Sequence, residues 1–473
     1  MPHINTEAWI PTSVIRGTRL VEDLTQGSVY RRLLGLSAAT TVNMLAGILY
    51  TLTNFYWLGR LGVKAQAAVA LSIGPISIVL TLVPIITVGS RVLISQAVGA
   101  KNQGEAERVF NEAFGASVLV MSTVGLCAWL ARDWFGPILT PDAPTADLIG
   151  ALLSWYIPSI AVQLPAVTLA AAIAGTGNMR AGMIAQLISV GTNVVISPLL
   201  MFGWLGLPAL GIAGTGAGGL VSAIASLAVL SGYLLRTTSY LTFRPRHWFA
   251  RPDVIWRVFK VGLPMGIQSG VLAVYLVFLT QFLRPFGPSE QAALGIGHRL
   301  MQAAGLPLIA LSGAASVIVG QCYGAGLSQR IKDSFRATLV LGCIVTPLFF
   351  VVIQLLAQPF SRAFTSDPHV AAEATRYLRI VSFNLFPVSV ALCCFGVLTG
   401  LGNTKASLFA VIASSALLVL PCCLLSYSPD FSPTWIWSAI VASGTLEMVM
   451  ALAFIREEFR KRLRQLVPGC LPA

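Results

Sequence analysis

The sequence predicts an all-α polytopic membrane protein, with twelve transmembrane helices in two six-helix bundles related by a pseudo-two-fold axis along the membrane normal. Three observations predict it. The 473 residues are 56% hydrophobic and only 10% charged, with a mean hydropathy of +0.78, whereas a soluble domain needs roughly a quarter of its residues charged to cover its surface. Twelve apolar runs are each long enough to cross a bilayer. Finally, one offset of 225 residues relates three separated stretches of the chain.

The runs fall at 33–57, 66–90, 112–131, 150–172, 182–203, 209–235, 259–283, 291–320, 336–358, 377–399, 406–427 and 433–455. A span needs about 20 apolar residues. Lipid offers no hydrogen-bond partners, so the backbone of such a run must satisfy itself as a helix. The longer runs are expected to tilt or to project beyond the bilayer.

Orientation follows from Lys and Arg. One set of connections carries Arg16, Arg19, Arg31 and Arg32, then Lys101 and Arg108, Arg180, the group from Arg236 to Lys260, Arg330, Lys332 and Arg336, Lys405, and the tail from Arg456 to Arg464. The alternate connections are poorer, with Arg60 and Lys64, Arg132, Arg284, and Arg362 with Arg376. Both termini are therefore expected to be cytoplasmic in a multi-pass plasma-membrane protein. The first thirty residues are polar and lack an apolar h-region, so no cleavable signal is expected. The basic, aromatic stretch 236–258 is expected to lie on the inner surface as a linker. It would join bundles at 33–235 and 259–455, flanked by cytoplasmic segments at 1–32 and 456–473.

The repeat pairs Gly62 with Gly287, Ala67 and Ala68 with Ala292 and Ala293, and Gln96, Gly99 and Ala100 with Gln321, Gly324 and Ala325. It also pairs Gly175, Gly177 and Asn178 with Gly400, Gly402 and Asn403. Each half holds an even number of spans, so the halves insert in the same sense, and a transported substrate would bind between them near the midplane. The Gly-x-Gly-Asn stretches read as tight turns in which Gly supplies positive φ and Asn caps. No strand precedes them and no Lys-Ser/Thr follows, so they are not phosphate loops.

Several function classes are excluded. The net charge of +13 is spread over loops and ends rather than gathered in one patch, which argues against a nucleic-acid partner. Of the eight cysteines, all but Cys470 lie in apolar runs and none forms a C-x-x-C pair, so neither a disulfide framework nor a metal site is expected. His3, His247, His298 and His369 are scattered, which disfavours a membrane enzyme. A channel would need a ring of like polar groups. Alternating access to a small-molecule substrate, by a monomer in the bilayer, fits best.

Polar groups at membrane depth are costly and hence candidate sites. Asn54 interrupts the first span, in YTLTNFYWLGRLG. Asn193 and Ser197 stand one turn apart on one helix face, and Pro198 removes an amide donor beside them. Such a group could hold a cation or a hydroxyl, or could be packing glue between helices. Gln268, with Gln302 and Asn384, adds amides to the second half. His298 could titrate near neutral pH, while Arg299 must face a hydrated cavity or snorkel to the headgroups. Glu447 is the only carboxylate well inside a span and could carry a proton, or could face the basic tail.

With these residues placed, the chain resembles the MATE (multidrug and toxic compound extrusion) family of the multidrug/oligosaccharidyl-lipid/polysaccharide exporter superfamily. The resemblance rests on Leu58-Gly59-Arg60-Leu61-Gly62 with Ala67-Ala68, on Gln96 to Ala100 with its counterpart Gln321 to Ala325, and on the Gly-x-Gly-Asn turns and Gly262-Leu263-Pro264. It covers about residues 28 to 455 and implies two helix bundles in a V, exporting organic cations or amphipathic compounds in exchange for protons or sodium ions, without a cofactor. The family pattern similar to V-D-T-x-F-x-G-x-L-G puts its acid on Asn54, and N-x-x-x-D-P puts its acid on Ser197. Both first-half carboxylates implied by the resemblance are thus replaced. Coupling through Glu447 or a histidine, uncoupled facilitation, anionic cargo with Arg299 as counter-ion, and a lipid-linked saccharide flippase are the alternatives this leaves.

Overall fold

The computed structural model describes residues 23–236, 240–248, 252–425 and 431–462. Arg16, Arg19, Arg251, Arg464, His3 and Cys470 lie outside the described residues. The first half contains α1 (Val29–Leu61), α2 (Val63–Leu80), α3 (Leu82–Gly99), α4 (Gln103–Leu130), the short α5 (Arg132–Leu139), α6 (Ala143–Gly175), α7 (Met179–Phe202) and α8 (Ala213–Arg236). The second half contains α9 (Pro252–Leu283), α10 (Pro288–Gly324), α11 (Ser328–Phe364), α12 (Pro368–Val381), α13 (Leu385–Gly400), α14 (Thr404–Leu425) and α15 (Pro433–Arg462). No strand occurs among the described residues. Twelve segments are long and apolar enough to cross a membrane, in the two-lobe arrangement the repeat predicts.

Two spans are broken, which hydropathy alone does not show. The second is split at Thr81 between α2 and α3. The tenth is split by a 3₁₀ turn at Ser382–Asn384 between α12 and α13. Most helices also extend past the apolar runs. α10 and α11 reach 37 residues each, about 55 Å at 1.5 Å per residue, which is well beyond a hydrocarbon core of about 30 Å.

Local chemistry explains the helix starts. The Asn102 side chain accepts from Glu105 N–H at 3.1 Å, Asn178 from Arg180 and Ala181 N–H, and Asp367 from His369 N–H at 2.8 Å. Each satisfies donors that the first turn leaves free. The repeat extends to backbone conformation: Gly62 and Gly287 have φ of 111° and 104°, and Gly177 and Gly402 have 95° and 81°. At one such pair the residue types differ, with Gly326 at φ 73° matched by Lys101 at φ 56°. A side chain in the left-handed region is strained by roughly 1 kcal/mol. Lys101→Gly is therefore expected to leave stability unchanged or raise it by about 1 kcal/mol at most; a clear drop in the thermal midpoint would contradict this.

The lobes meet through glycine at their backbones. α3 packs on α9, where a Cβ at Gly262 would lie 1.7 Å from the Ile85 carbonyl oxygen and one at Gly89 would lie 2.2 Å from that of Val258. α3 also crosses α10 in a reciprocal contact. A Cβ at Gly99 would sit 1.9 Å from the Gln321 carbonyl oxygen, and one at Gly324 would sit 1.9 Å from that of Gln96. The two glutamine side chains then reach across the seam. Gln96 Nε2 donates to the Gly400 carbonyl at 2.9 Å, and Gln321 Nε2 donates to the Gly175 carbonyl at 3.4 Å. Each amide thus satisfies a carbonyl at the last residue of a helix in the opposite lobe. These four contacts lie at the cation-rich end and hold the two lobes together there.

Two polar segments brace this end. Arg330 donates to the Leu24 and Gly27 carbonyls, and Leu24 N–H donates to Gln321 Oε1 at 3.1 Å, which straps the residues before α1 across the seam. The described part of the linker lies on α4. Asn111 donates to the Thr242 carbonyl at 2.8 Å and accepts from Arg244 N–H at 2.7 Å, while Trp248 packs on Gly115. α9 begins at Pro252, several residues before the apolar run at 259.

Candidate functional site

Polar groups at membrane depth gather in two places, one in each lobe. In the first lobe, α1 and α7 bring Asn54, Asn193 and Ser197 together. Ser197 Oγ donates to Asn54 Oδ1 at 3.4 Å, and the Tyr50 hydroxyl lies beside Asn54 and Ser222. Small residues on α8 make the room: a Cβ at Gly218 would press on Ser197 at 2.8 Å, and one at Gly219 would meet Ser159 Oγ and the Tyr50 hydroxyl at 2.9 and 3.2 Å. Asn193 is fully buried, with no partner for either amide atom among the described residues. The cluster holds hydroxyls and amides but no ionisable carboxylate. It can bind a polar group, but it cannot take up or release a proton near neutral pH.

In the second lobe a cavity of about 330 Å³ opens between α9, α10, the broken α12–α13, α14 and α15. Gln268, His298 and Glu447 line it, together with Tyr275, Gln302, Tyr377, Asn384 and Ser414. Apolar walls come from Leu272, Met301, Ile309, Leu392 and Phe395. Gly297 admits the Tyr377 ring, whose Cδ1 would lie 2.1 Å from a Cβ there, and Trp437 holds that ring edge-on at 4.7 Å between centroids. Gly444, one turn before Glu447, leaves space for Asn384, whose Oδ1 would lie 1.9 Å from a Cβ at that position.

The cavity combines one carboxylate with two unpartnered amide oxygens. Glu447 is its only carboxylate. Gln268 Oε1 and Asn384 Oδ1 are buried without partners, so a ligand with N–H donors would satisfy groups that are otherwise costly to bury. Ser414 Oγ stands 3.2 Å from Glu447 Oε2 and 3.0 Å from the Val411 carbonyl. One hydroxyl proton cannot serve both. With Glu447 ionised, Ser414 donates to the carboxylate; with Glu447 protonated, the carboxyl donates to Ser414, which donates to Val411. Both protonation states are thus hydrogen-bonded.

Arg299 is placed apart from this cavity. It is exposed, while its neighbour His298 lines the site. Arg91 on α3 has no side-chain hydrogen bond or ion pair among the described residues, and its Nε is buried. Among the sites that the sequence does not single out are Tyr275, Tyr377 and Ser414. The only signals for them are two aromatic hydroxyls and the Ser414-Ser415 pair within apolar runs. No group of three His, Cys, Asp or Glu side chains converges among the described residues.

The MatE family model matches residues 39–199 and 264–425, one segment in each half at the repeat offset. A multidrug export protein, MepA, from Staphylococcus haemolyticus is 22% identical over 93% of this chain and 95% of its own length. A FAD transporter from Shewanella oneidensis is also 22% identical, over 84% and 88%. Among solved structures, a MOP superfamily transporter from Pyrococcus furiosus superposes with a TM-score of 0.86 at 18% identity, covering 94% of this chain and 99% of that one. An outward-facing MATE family transporter superposes with a TM-score of 0.87 at 17% identity, over the same shares. The matched segments span more than half of the sequence and both of its lobes, so the chain belongs to the MatE family and is a membrane transporter, not an enzyme.

Proposed function

We propose that this protein exports amphipathic organic cations from the cytoplasm in exchange for protons, by alternating access between its two lobes. The observation that carries the reading is the second-lobe cavity, where a single carboxylate, Glu447, faces unpartnered amide oxygens and apolar walls. A protonated amine with a lipophilic body matches that lining. A proton and an organic cation would compete for the same oxygen atoms, and competition for one group is what couples two fluxes in opposite directions. The Ser414 hydroxyl supports both states of Glu447 with no rearrangement of the helices.

Other features supply the cycle. The seam closed by Gln96 and Gln321 lies at the cation-rich end, which the positive-inside bias makes cytoplasmic, so this state is sealed inward. Both described ends of the chain then lie on the cytoplasmic side of the plasma membrane. Each cluster lies within one chain, and a monomer suffices. The Staphylococcus relatives named as multidrug exporters fit this reading.

A second reading, anionic cargo, draws on Arg91, a largely buried guanidinium without a partner on the helix that crosses both lobes, and on the FAD transporter among the relatives. Proteoliposomes with pH and sodium gradients set independently separate the readings. Ethidium movement is expected to follow an imposed pH gradient and ignore a sodium gradient. Movement that is indifferent to both gradients would contradict antiport and indicate a facilitator. Transport of FAD but not ethidium would favour the anionic reading.

A further inference from the structure

We propose that a basic pocket between α1 and α7, at the cation-rich end, holds the phosphate group of an anionic phospholipid. The pocket encloses about 330 Å³, and its lining includes Ser28 at the N-cap of α1, Arg31 and Arg32 on α1, Gly177 in the turn before α7, and Met179 and Arg180 at the start of α7. It contains three arginines and no acid. The side chains of Arg31 and Arg180 have no hydrogen-bond or ion-pair partner among the described residues, although they converge from positions far apart in sequence. Ser28, at the N-cap of α1, makes no side-chain capping bond, so donors of that first turn remain available to an oxyanion. Planar guanidinium groups suit phosphate oxygens, which each can bind in bidentate fashion.

The surroundings favour a lipid as the source of the phosphate. Arg31 heads a helix face that continues through Gly35, Ala38, Val42, Leu45, Leu49 and Leu52, all exposed. Arg180 heads a second face through Ile184, Leu187, Gly191 and Val195, likewise exposed. α1 and α7 pack side by side, so both arginines stand at the polar end of neighbouring apolar stripes. A headgroup in the pocket would leave its acyl chains along those stripes, on the cytoplasmic leaflet where anionic lipids attract basic groups.

The pocket also touches the inter-lobe strap. Gly27, which lines it, has its carbonyl held by Arg330 of the second lobe at 2.9 Å. An occupant would tie α1 and α7 to that strap and favour the sealed state. Inorganic phosphate offers the same oxyanion without the chains, so the test must separate the two sources.

The full-length protein in nanodiscs of phosphatidylcholine, with or without phosphatidylglycerol, supplies the first arm, read by retained lipid in native mass spectrometry and by thermal midpoint. Phosphatidylglycerol is expected to bind and raise the midpoint. Arg31→Gln and Arg180→Gln are each expected to weaken binding about fivefold, and the pair more than either alone. Lys332→Gln, an exposed cation on α11, is expected to change nothing. Inorganic phosphate added to phosphatidylcholine nanodiscs forms the second arm and is expected not to reproduce the shift. The proposal is overturned if the double variant retains phosphatidylglycerol like the wild type, if Lys332→Gln loses as much, or if phosphate alone gives the full shift.

Discussion

Glu447→Gln is expected to abolish pH-driven export while leaving the fold intact. The substitution is isosteric, and Ser414 still finds an acceptor in the amide, so the thermal midpoint should stay within a degree or two of wild type. What disappears is the charge. A hydrogen bond to a charged group contributes about 1.5–3 kcal/mol, so the affinity for an organic cation should fall by roughly 10- to 150-fold. The pH dependence has a definite sign. In the wild type, protons compete with the cation for one carboxylate, so cation binding should weaken as pH falls. In the variant, binding should be weak and flat with pH. The other titratable groups of the cavity, His298, Tyr275 and Tyr377, remain in the variant, so residual pH dependence would point to one of them. The readouts are equilibrium binding of ethidium against pH and the accompanying transport rates.

Gly99→Ala combined with Gly324→Ala is expected to break the sealed state. Each added methyl would lie 1.9 Å from a backbone carbonyl oxygen of the opposite lobe. No side-chain rotation relieves such a clash; only separating α3 from α10 does. Overpacking of this kind costs about 1–3 kcal/mol per site. A total near 3 kcal/mol would shift the equilibrium between closed and open ends by about a hundredfold. Spin labels at Gly104 and Gln329, exposed repeat partners at the starts of α4 and α11, should report a longer distance across the seam than in otherwise native protein. An unchanged distance with a large loss of thermal stability would mean that the contact maintains the fold rather than gating the end. Gln96→Leu should act in the same direction but more weakly, because it removes one hydrogen bond to Gly400 without a clash.

Much of this architecture was legible in the sequence because lipid simplifies the reading. Any run of about 20 apolar residues has to be a helix, and the 225-residue offset gives two lobes. The offset even matches individual conformations, as at Gly62 and Gly287. Side-chain direction was harder to read. A helix that is apolar all round has no polar face to orient it, so adjacent residues could not be separated. His298 lines the cavity while Arg299 is exposed, and nothing in GIGHRLMQ distinguishes them. The breaks at Thr81 and at Ser382–Asn384 were equally hidden, because hydropathy continues across them. In the first lobe, Asn54 and Ser197 stood out as polar groups inside apolar runs, at positions where the family resemblance implies acids. In the second lobe, the partners of Glu447 come from helices distant in sequence, and Tyr275, Tyr377 and Ser414 are ordinary residues until the fold gathers them around one carboxylate.

Proton release on substrate binding tests the central claim most directly. A pH indicator in lightly buffered, slightly acidic detergent solution would follow ethidium added to the purified protein, beside Glu447→Gln under the same conditions. The expected result is release of up to one proton for each cation bound by the wild type, and none from the variant at saturating cation. Cation binding by the wild type with no proton released, or equal release from both proteins, would contradict the assignment of Glu447 as the group that proton and substrate share.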